Sequence, residues 1–260
     1  MIDVYTWEPN ANSGKPLFCL MEKGVPFTHH YIDMGARQQF SPEFLAINPE
    51  GTLPAIVHDG VVMTESTPAM EYLDEAFHGP ALRPADPAAR WRMRVMMRYM
   101  DNVVAPSLAM LASNRLTPQR FAGCDGDALR QELEKIPLPE RRASWEKLMF
   151  NATPPADLAE SRRRVSEAIA RFEAWLGETE WLAGSSFSLA DIGVFATFHS
   201  LPLSYPDEVN DAATPRLMGW LRRCHARPTL QEALSMGRGF IAWRAEEVRR
   251  MLGVEEEVAA

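Results

Sequence analysis

Asn48-Pro49-Glu50-Gly51-Thr52-Leu53-Pro54-Ala55-Ile56 is the most specific local pattern in the chain. Gly51 admits a tight turn, and Pro54 stands just before a strand-like run, where its missing N–H removes no ladder hydrogen bond. Two readings of the Leu53–Pro54 bond are open. A cis bond exposes the backbone N–H and C=O of Leu53 for pairing with an extended peptide. A trans bond makes an ordinary turn and is the commoner state before proline. Downstream, 55–58 and 61–63 read as short strands joined by Asp59-Gly60, a hairpin turn pair. Thr64-Glu65-Ser66 then leads into a helix ending near Phe77. Upstream, Ser41 caps a short helix with Pro42 at its first position. Residues 27–33 and 2–7 read as strands. Between those two lie the turn cluster Glu8-Pro9-Asn10-Ala11-Asn12-Ser13-Gly14 and a helix with Leu17, Leu20 and Met21 on one face, stopped by Gly24.

The resulting order, βαβαββα, is that of the thioredoxin-like fold, a sheet with helices packed on it. Gly79-Pro80 and Pro84-Ala85-Asp86-Pro87 interrupt the pattern and predict a linker over 81–88, between a first domain, 1–80, and a second, 89–260. The second shows no strand pattern. Helical spacing runs over 90–111, 159–176, 189–201, 215–226 and 230–252, which predicts an all-helical bundle. Residues 117–155 are less regular and are punctuated by Pro118, Pro137, Pro139, Pro154 and Pro155. With Trp145, Leu148, Met149 and Phe150 among them, they read as an ordered insertion between bundle helices that covers a pocket. The fold class is α/β plus all-α: an N-terminal thioredoxin-like domain and a C-terminal all-helical bundle.

The 260 residues are 46% hydrophobic and 24% charged with net charge −8, a globular balance that argues against nucleic-acid binding. The basic runs at 162–164 and 249–250 have glutamates nearby and read as solvated helix faces. Cys19, Cys124 and Cys224 are odd in number and widely spaced, with no CxxC pair and no zinc-ligand spacing, which fits a reducing compartment. The start lacks the basic and apolar regions of a signal peptide. The most apolar stretch, 192–203, is too short for a bilayer and contains His199 and Pro202. A cytoplasmic protein without membrane contact is expected.

Two further pairs suit ligand binding. Glu65-Ser66 opens a helix, whose free N–H groups and field favour a carboxylate. Glu65 can accept from an ammonium of the same ligand while Ser66 donates to its carboxylate; a plain helix cap at Thr64 or Ser66 is the alternative. Asn12-Ser13 precedes the first helix. A thiol with pKa near 8.5 is mostly protonated at neutral pH, so donors such as the Ser13 hydroxyl, the Asn12 amide and nearby N–H groups are needed to favour its thiolate. Capping explains Ser13 equally well.

Together these elements resemble one family. Residues 1–80 are similar to the glutathione-binding domain of glutathione transferases, and the helical remainder to their second domain. The resemblance implies that Leu53, before Pro54, pairs with the cysteinyl backbone of glutathione. It implies that Glu65 and Ser66 bind the γ-glutamyl end and that Asn12 and Ser13 face the sulfur as the catalytic pair. Ser188-Leu189-Ala190-Asp191 resembles the family's capping box, with a folding role. The runs 11–17, 22–24, 47–49 and 64–67, with Lys135-Ile136-Pro137 and Trp145 in the insertion, are similar to bacterial glutathione-dependent β-etherases of lignin degradation, nearest the (S)-selective type. This implies glutathione as co-substrate, no metal, an aromatic small-molecule substrate, and a homodimer, with a heterodimer as the alternative. Conjugation of other aromatic electrophiles and a non-catalytic binding protein are the competing functions.

Other candidates read as structural. Cys19 falls among apolar neighbours on the first helix. His29 and His30 are adjacent in a strand and point to opposite faces, so they cannot chelate one metal together. His58 and His199 read as structural or surface histidines. The methionines and aromatics from Met93 to Met110 read as core or subunit interface, and Trp7 and Phe40 as weak candidates for a substrate wall.

Overall fold

The computed structural model describes residues 1–254, apart from the side chains of 118–121 and 240–243. The end of the expected helical domain, 255–260, lies outside the described residues. The N-terminal domain runs β1 (Ile2–Thr6), α1 (Ala11–Lys23), β2 (Thr28–Tyr31), a 3-10 turn (Gln38–Phe40), α2 (Pro42–Leu45), β3 (Ala55–His58), β4 (Val61–Met63) and α3 (Ser66–Ala76). The four strands lie in the order β2-β1-β3-β4. β1 is parallel to β2 and antiparallel to β3, and β4 is antiparallel to β3. The parallel pair requires a crossover, which α1 supplies. Asp59 (φ 50°) and Gly60 (φ 81°) both adopt positive φ, as the predicted two-residue hairpin requires. Ser41 Oγ accepts from the Phe44 N–H at 3.3 Å, the predicted cap.

The helical domain comprises α4 (Pro87–Tyr99), a π-helical turn (Met100–Val104), α5 (Ala105–Phe121), α6 (Gly126–Glu134), α7 (Pro139–Met149), α8 (Pro155–Trp175), α9 (Leu189–Phe198), α10 (Leu201–Ser204), α11 (Pro215–His225), α12 (Pro228–Ser235) and α13 (Phe240–Leu252). Four expectations need correction. The single helix over 90–111 is interrupted at 100–104, because Pro106 has no N–H for the preceding turn and its ring crowds the carbonyl four residues back. The irregular 117–155 is mostly helical: Pro139 and Pro155 begin helices rather than ending them, and Asp125 caps α6 with bonds from the N–H groups of Asp127 and Ala128. The helix expected over 230–252 is two helices parted at Gly237 and Gly239. There the backbone passes so near Glu8 that a Cβ on Gly237 would lie 2.8 Å from Glu8 Oε2. Likewise the run 189–201 ends at Phe198 and restarts with Pro202 in the first turn of α10.

Packing divides the chain into two units. Among the described residues one comprises 1–32, 53–100 and 169–254. Within it α1 packs on α3, α9 and α12, and its Leu17, Phe18, Cys19 and Leu20 are fully buried. Phe18 meets Phe195 of α9 with ring centroids 5.6 Å apart. Glu22 accepts from Arg227 Nε at 2.7 Å and from the Thr229 hydroxyl, which fixes α1 to the start of α12. Lys23 Nζ, also buried, donates to Asp74 Oδ1 at 3.0 Å and to the Pro80 carbonyl at 3.2 Å. The predicted capping box is present: Asp191 accepts from the Ser188 N–H, and also from the Leu182 N–H and Trp220 Nε1.

The other unit comprises 33–52 and 101–168. Leu133, Ile136 and Met149 form a buried apolar cluster in it, with Phe40 and Trp145 packed against them. Arg37 pairs with Glu132. No helix among the described residues is long and apolar enough to cross a membrane.

Candidate functional site

The antiparallel register sets Ala55 opposite Tyr5 and Met63 opposite Ile56. The end of β1, the start of β3 and the end of β4 therefore share one edge of the sheet. From that edge the chain enters α1 and α3, so two helix N-termini, each with free N–H groups and a positive field, are gathered there.

After β1 the chain turns through Trp7, Glu8 and Pro9 to Asn10, the residue before α1, whose side chain makes no capping bond. Ala11 begins the helix at φ 45°, a left-handed conformation that costs a non-glycine residue about 1 kcal/mol. Asn12 and Ser13 are the second and third helical residues. The capping explanation of Ser13 is thus not met. Its buried Oγ accepts from the Trp7 N–H at 3.4 Å, which leaves its own hydrogen available to another acceptor. Asn12 is exposed. Gly14 lets the chain turn closely, since a Cβ there would come within 3.0 Å of the Pro9 backbone.

Glu65 is the residue before α3, exposed and without a side-chain cap, and Ser66 is the first helical residue, 6% exposed. Neither Thr64 nor Ser66 is at the capping position. The Leu53–Pro54 bond is cis, with Pro54 buried and Leu53 half-buried just ahead of β3. The preceding turn is fixed by Asn48, whose Nδ2 donates to the Thr52 carbonyl at 2.9 Å, and by Gly51 at φ 64°, in the conformation the sequence required.

Sequence reading missed Lys15. It is 1% exposed, and its Nζ donates to Asn12 Oδ1 at 3.1 Å, to Thr67 Oγ1 at 3.2 Å and to Ser66 Oγ at 3.4 Å. It brings the start of α1 and the start of α3 together through hydrogen bonds. One signal pointed to it: a lysine near the start of a helix opposes the helix field, and here its neighbours Gly14, Pro16 and Leu17 are apolar.

Cys19, His29, His30 and His58 each sit against a structural partner. Cys19 is fully buried, its Sγ 3.8 Å from the Met70 carbonyl, and burial pushes its thiol far up, away from thiolate chemistry. His29 Nε2 is 2.7 Å from Thr6 Oγ1, while His30 Nε2 is 2.7 Å from Asp3 Oδ1. Burial, with Arg238 and His30 nearby, lowers the His29 pKa. His58 Nδ1 meets the Tyr72 hydroxyl at 2.7 Å. Phe40 is engaged in the apolar cluster around Leu133, and Trp7 is half-buried after β1. Among the described residues no three His, Cys, Asp or Glu side chains cluster as a metal site would.

The family described as "Glutathione S-transferase, N-terminal domain" matches residues 11–76, and "Glutathione S-transferase, C-terminal domain" matches 138–228. Protein LigF of Sphingobium sp. is 35% identical over 240 residues, covering 89% of this chain and 92% of LigF. The crystal structure of that protein, described as the β-etherase LigF, superposes with a TM-score of 0.86 at 34% identity, covering 91% of this chain and 99% of that one. Maleylacetoacetate isomerase maiA of Aspergillus fumigatus is 30% identical over 74% of this chain and 73% of its own. An epsilon-class glutathione S-transferase from the housefly Musca domestica shares the fold, with a TM-score of 0.68 at 20% identity over 98% of this chain and 99% of its own. By fold, by the ordered elements of its first domain and by these relatives, the chain belongs to the glutathione S-transferase family.

Proposed function

We propose that this enzyme cleaves β-aryl ether bonds of lignin-derived α-keto aromatics with glutathione as co-substrate. The observation that carries the reading is its similarity to the β-etherase LigF over nearly the whole length of both chains. Glutathione is held in three parts. The Leu53 backbone pairs with its cysteinyl unit, Glu65 and Ser66 take the ammonium and carboxylate of its γ-glutamyl end, and Asn12 and Ser13 face its sulfur. The local chemistry suits each role. Ser13 has a hydroxyl hydrogen free to donate, the N–H groups of the first turn of α1 favour negative charge, and Ser66 opens α3 where a carboxylate is welcome.

With the thiolate favoured, sulfur attacks the β-carbon of the substrate, activated by the adjacent carbonyl. A C–S bond forms as the C–O bond breaks, and the phenolate leaves and takes a proton from solvent. The products are a glutathione thioether and a phenol. The enzyme contributes thiolate stabilisation and alignment, with the aromatic rings held by the helical domain. The three free cysteines suit a reducing, glutathione-rich compartment such as the cytoplasm, and the enzyme works there as a homodimer.

The test is incubation of the purified protein with glutathione and, separately, each enantiomer of a model β-aryloxy ketone. Phenol release from one enantiomer with matching thioether is expected and assigns the stereochemistry. Phenol from neither, with conjugation of simple aromatic electrophiles retained, rejects the etherase reading in favour of a general transferase.

A further inference from the structure

Lys15 has no role in the binding scheme above, yet it is the buried group through which Asn12, Ser66 and Thr67 meet. Resting on the glutathione reading, we propose that Lys15 is a positioning residue: by occupying the acceptor oxygens of Asn12 and Ser66, it turns their donor hydrogens toward the sulfur and the γ-glutamyl carboxylate.

A lysine ammonium has three donors and no acceptor. An asparagine facing it must therefore present its oxygen, so the Asn12 NH2 group is directed away from Lys15 and, since Asn12 is exposed, outward. A serine hydroxyl facing it must give a lone pair, so the Ser66 hydrogen is left for another acceptor. Without Lys15 both side chains are free to turn the other way, since an amide has a donor end and an acceptor end and a hydroxyl rotates. The same ammonium adds positive charge beside two helix N-termini. A donor group of that sign complements a site that takes a thiolate and a carboxylate together.

The experiment compares wild type with Lys15→Met, which keeps length and removes the donors, and Lys15→Arg, which keeps donors and charge. Circular dichroism checks folding. Calorimetry measures affinity for glutathione and for S-methylglutathione, which has no ionisable thiol. The ultraviolet absorbance of the thiolate, followed against pH, gives the apparent pKa of bound glutathione. Lys15→Met is expected to weaken glutathione roughly tenfold and to raise the bound thiol's pKa by about one unit. S-methylglutathione should lose less, and Lys15→Arg should recover most of both effects. A folded Lys15→Met protein with unchanged affinity and thiol pKa overturns the proposal. If Lys15→Met does not fold, Lys15→Gln decides: its amide offers an acceptor as well as donors, so Asn12 and Ser66 are no longer obliged to present their oxygens. A raised thiol pKa with S-methylglutathione binding retained supports the orientation, and an unchanged thiol pKa overturns it. Wild-type protein that binds neither ligand rejects the glutathione reading itself. Wild type that binds both beside an unaffected Lys15→Met rejects only the role of Lys15.

Discussion

In the proposed reaction Asn12 and Ser13 act through hydrogen bonds to a thiolate and not through covalent chemistry, so each contributes a share. A hydrogen bond to a charged acceptor is worth about 1.5–3 kcal/mol, roughly a tenfold to hundredfold change in rate. Ser13→Ala and Asn12→Ala are each expected to lower turnover by that factor, and the double variant by more than either, measured by phenol release under saturating glutathione. Unchanged turnover in the double variant would sink the assignment. A second residue-scale effect concerns two buried histidines of the helical domain. His199 and His225 are buried, and His225 Nε2 lies 2.9 Å from the His199 carbonyl. Burial depresses His199 to about 3, helped by His225 and Arg244, and His225 to about 4, helped by Arg249 and opposed by that hydrogen bond. Both fall below the unfolded value near 6.5, so below that pH the unfolded chain takes up protons that the folded one refuses. Stability is therefore unaffected by them above about pH 6.5 and falls with decreasing pH down to their folded values, by up to about 1.4 kcal/mol per pH unit for each. Urea unfolding at pH 7 and pH 5 should show the loss in wild type and a shallower loss in His199→Leu. Equal slopes would remove His199 from the account.

At the scale of elements, the helical domain is held by anchors that each serve several segments. Asp191 caps α9 through Ser188 and also satisfies the Leu182 N–H and Trp220 Nε1 of α11, wholly out of contact with water. Burial raises its carboxyl, and those hydrogen bonds pull it back. Asp191→Ala leaves several donors buried without an acceptor, at a cost of about 3–5 kcal/mol. The urea midpoint should drop accordingly with the slope unchanged, and a loss under about 1 kcal/mol would mean that water replaces the carboxylate. Asp74 plays the same part between α1 and the chain after α3. Burial raises its carboxyl, but hydrogen bonds from Arg83, Leu82 and Lys23 outweigh that and hold it below the usual range. The Ser188–Asp191 capping box was legible in the sequence through its resemblance to the family's, a local pattern, whereas the Leu182 and Trp220 bonds to Asp191 were not. The hairpin at Asp59-Gly60 and the cap at Ser41 were legible as local patterns too. What escaped depends on distant partners. Nothing near Gly237 announces that Glu8 will lie against it, so the break between α12 and α13 looked like continuous helix. Lys15 was hidden in the same way: its spacing from Asn12 is local, but Ser66 and Thr67 lie some fifty residues on, and only the sheet register brings them to it.

At the scale of the whole molecule, the proposed homodimer needs an apolar contact surface, and two exposed apolar features offer one. On α4, Trp91 is 68% exposed and Val95, one turn further on the same face, is 40% exposed. On the edge strand β4, Val61 and Val62 are 56% and 43% exposed. Edge strands and large exposed aromatics are features that monomeric proteins usually cover or charge. A second copy is the natural cover in a homodimer, because two-fold association sets the same patch of both subunits against itself. Charge must then be excluded from the centre of the contact, and a single carboxylate placed there on each subunit would be buried close to its symmetry mate. Trp91→Glu is therefore expected to convert a dimer into a folded monomer, seen as a halved mass by gel filtration with light scattering. Residual activity per subunit would then show whether each active site works alone. Val95→Glu, on the same face, should weaken the dimer in the same direction. A wild-type monomer rejects the homodimer, and a dimer that survives both substitutions places its interface elsewhere on the surface.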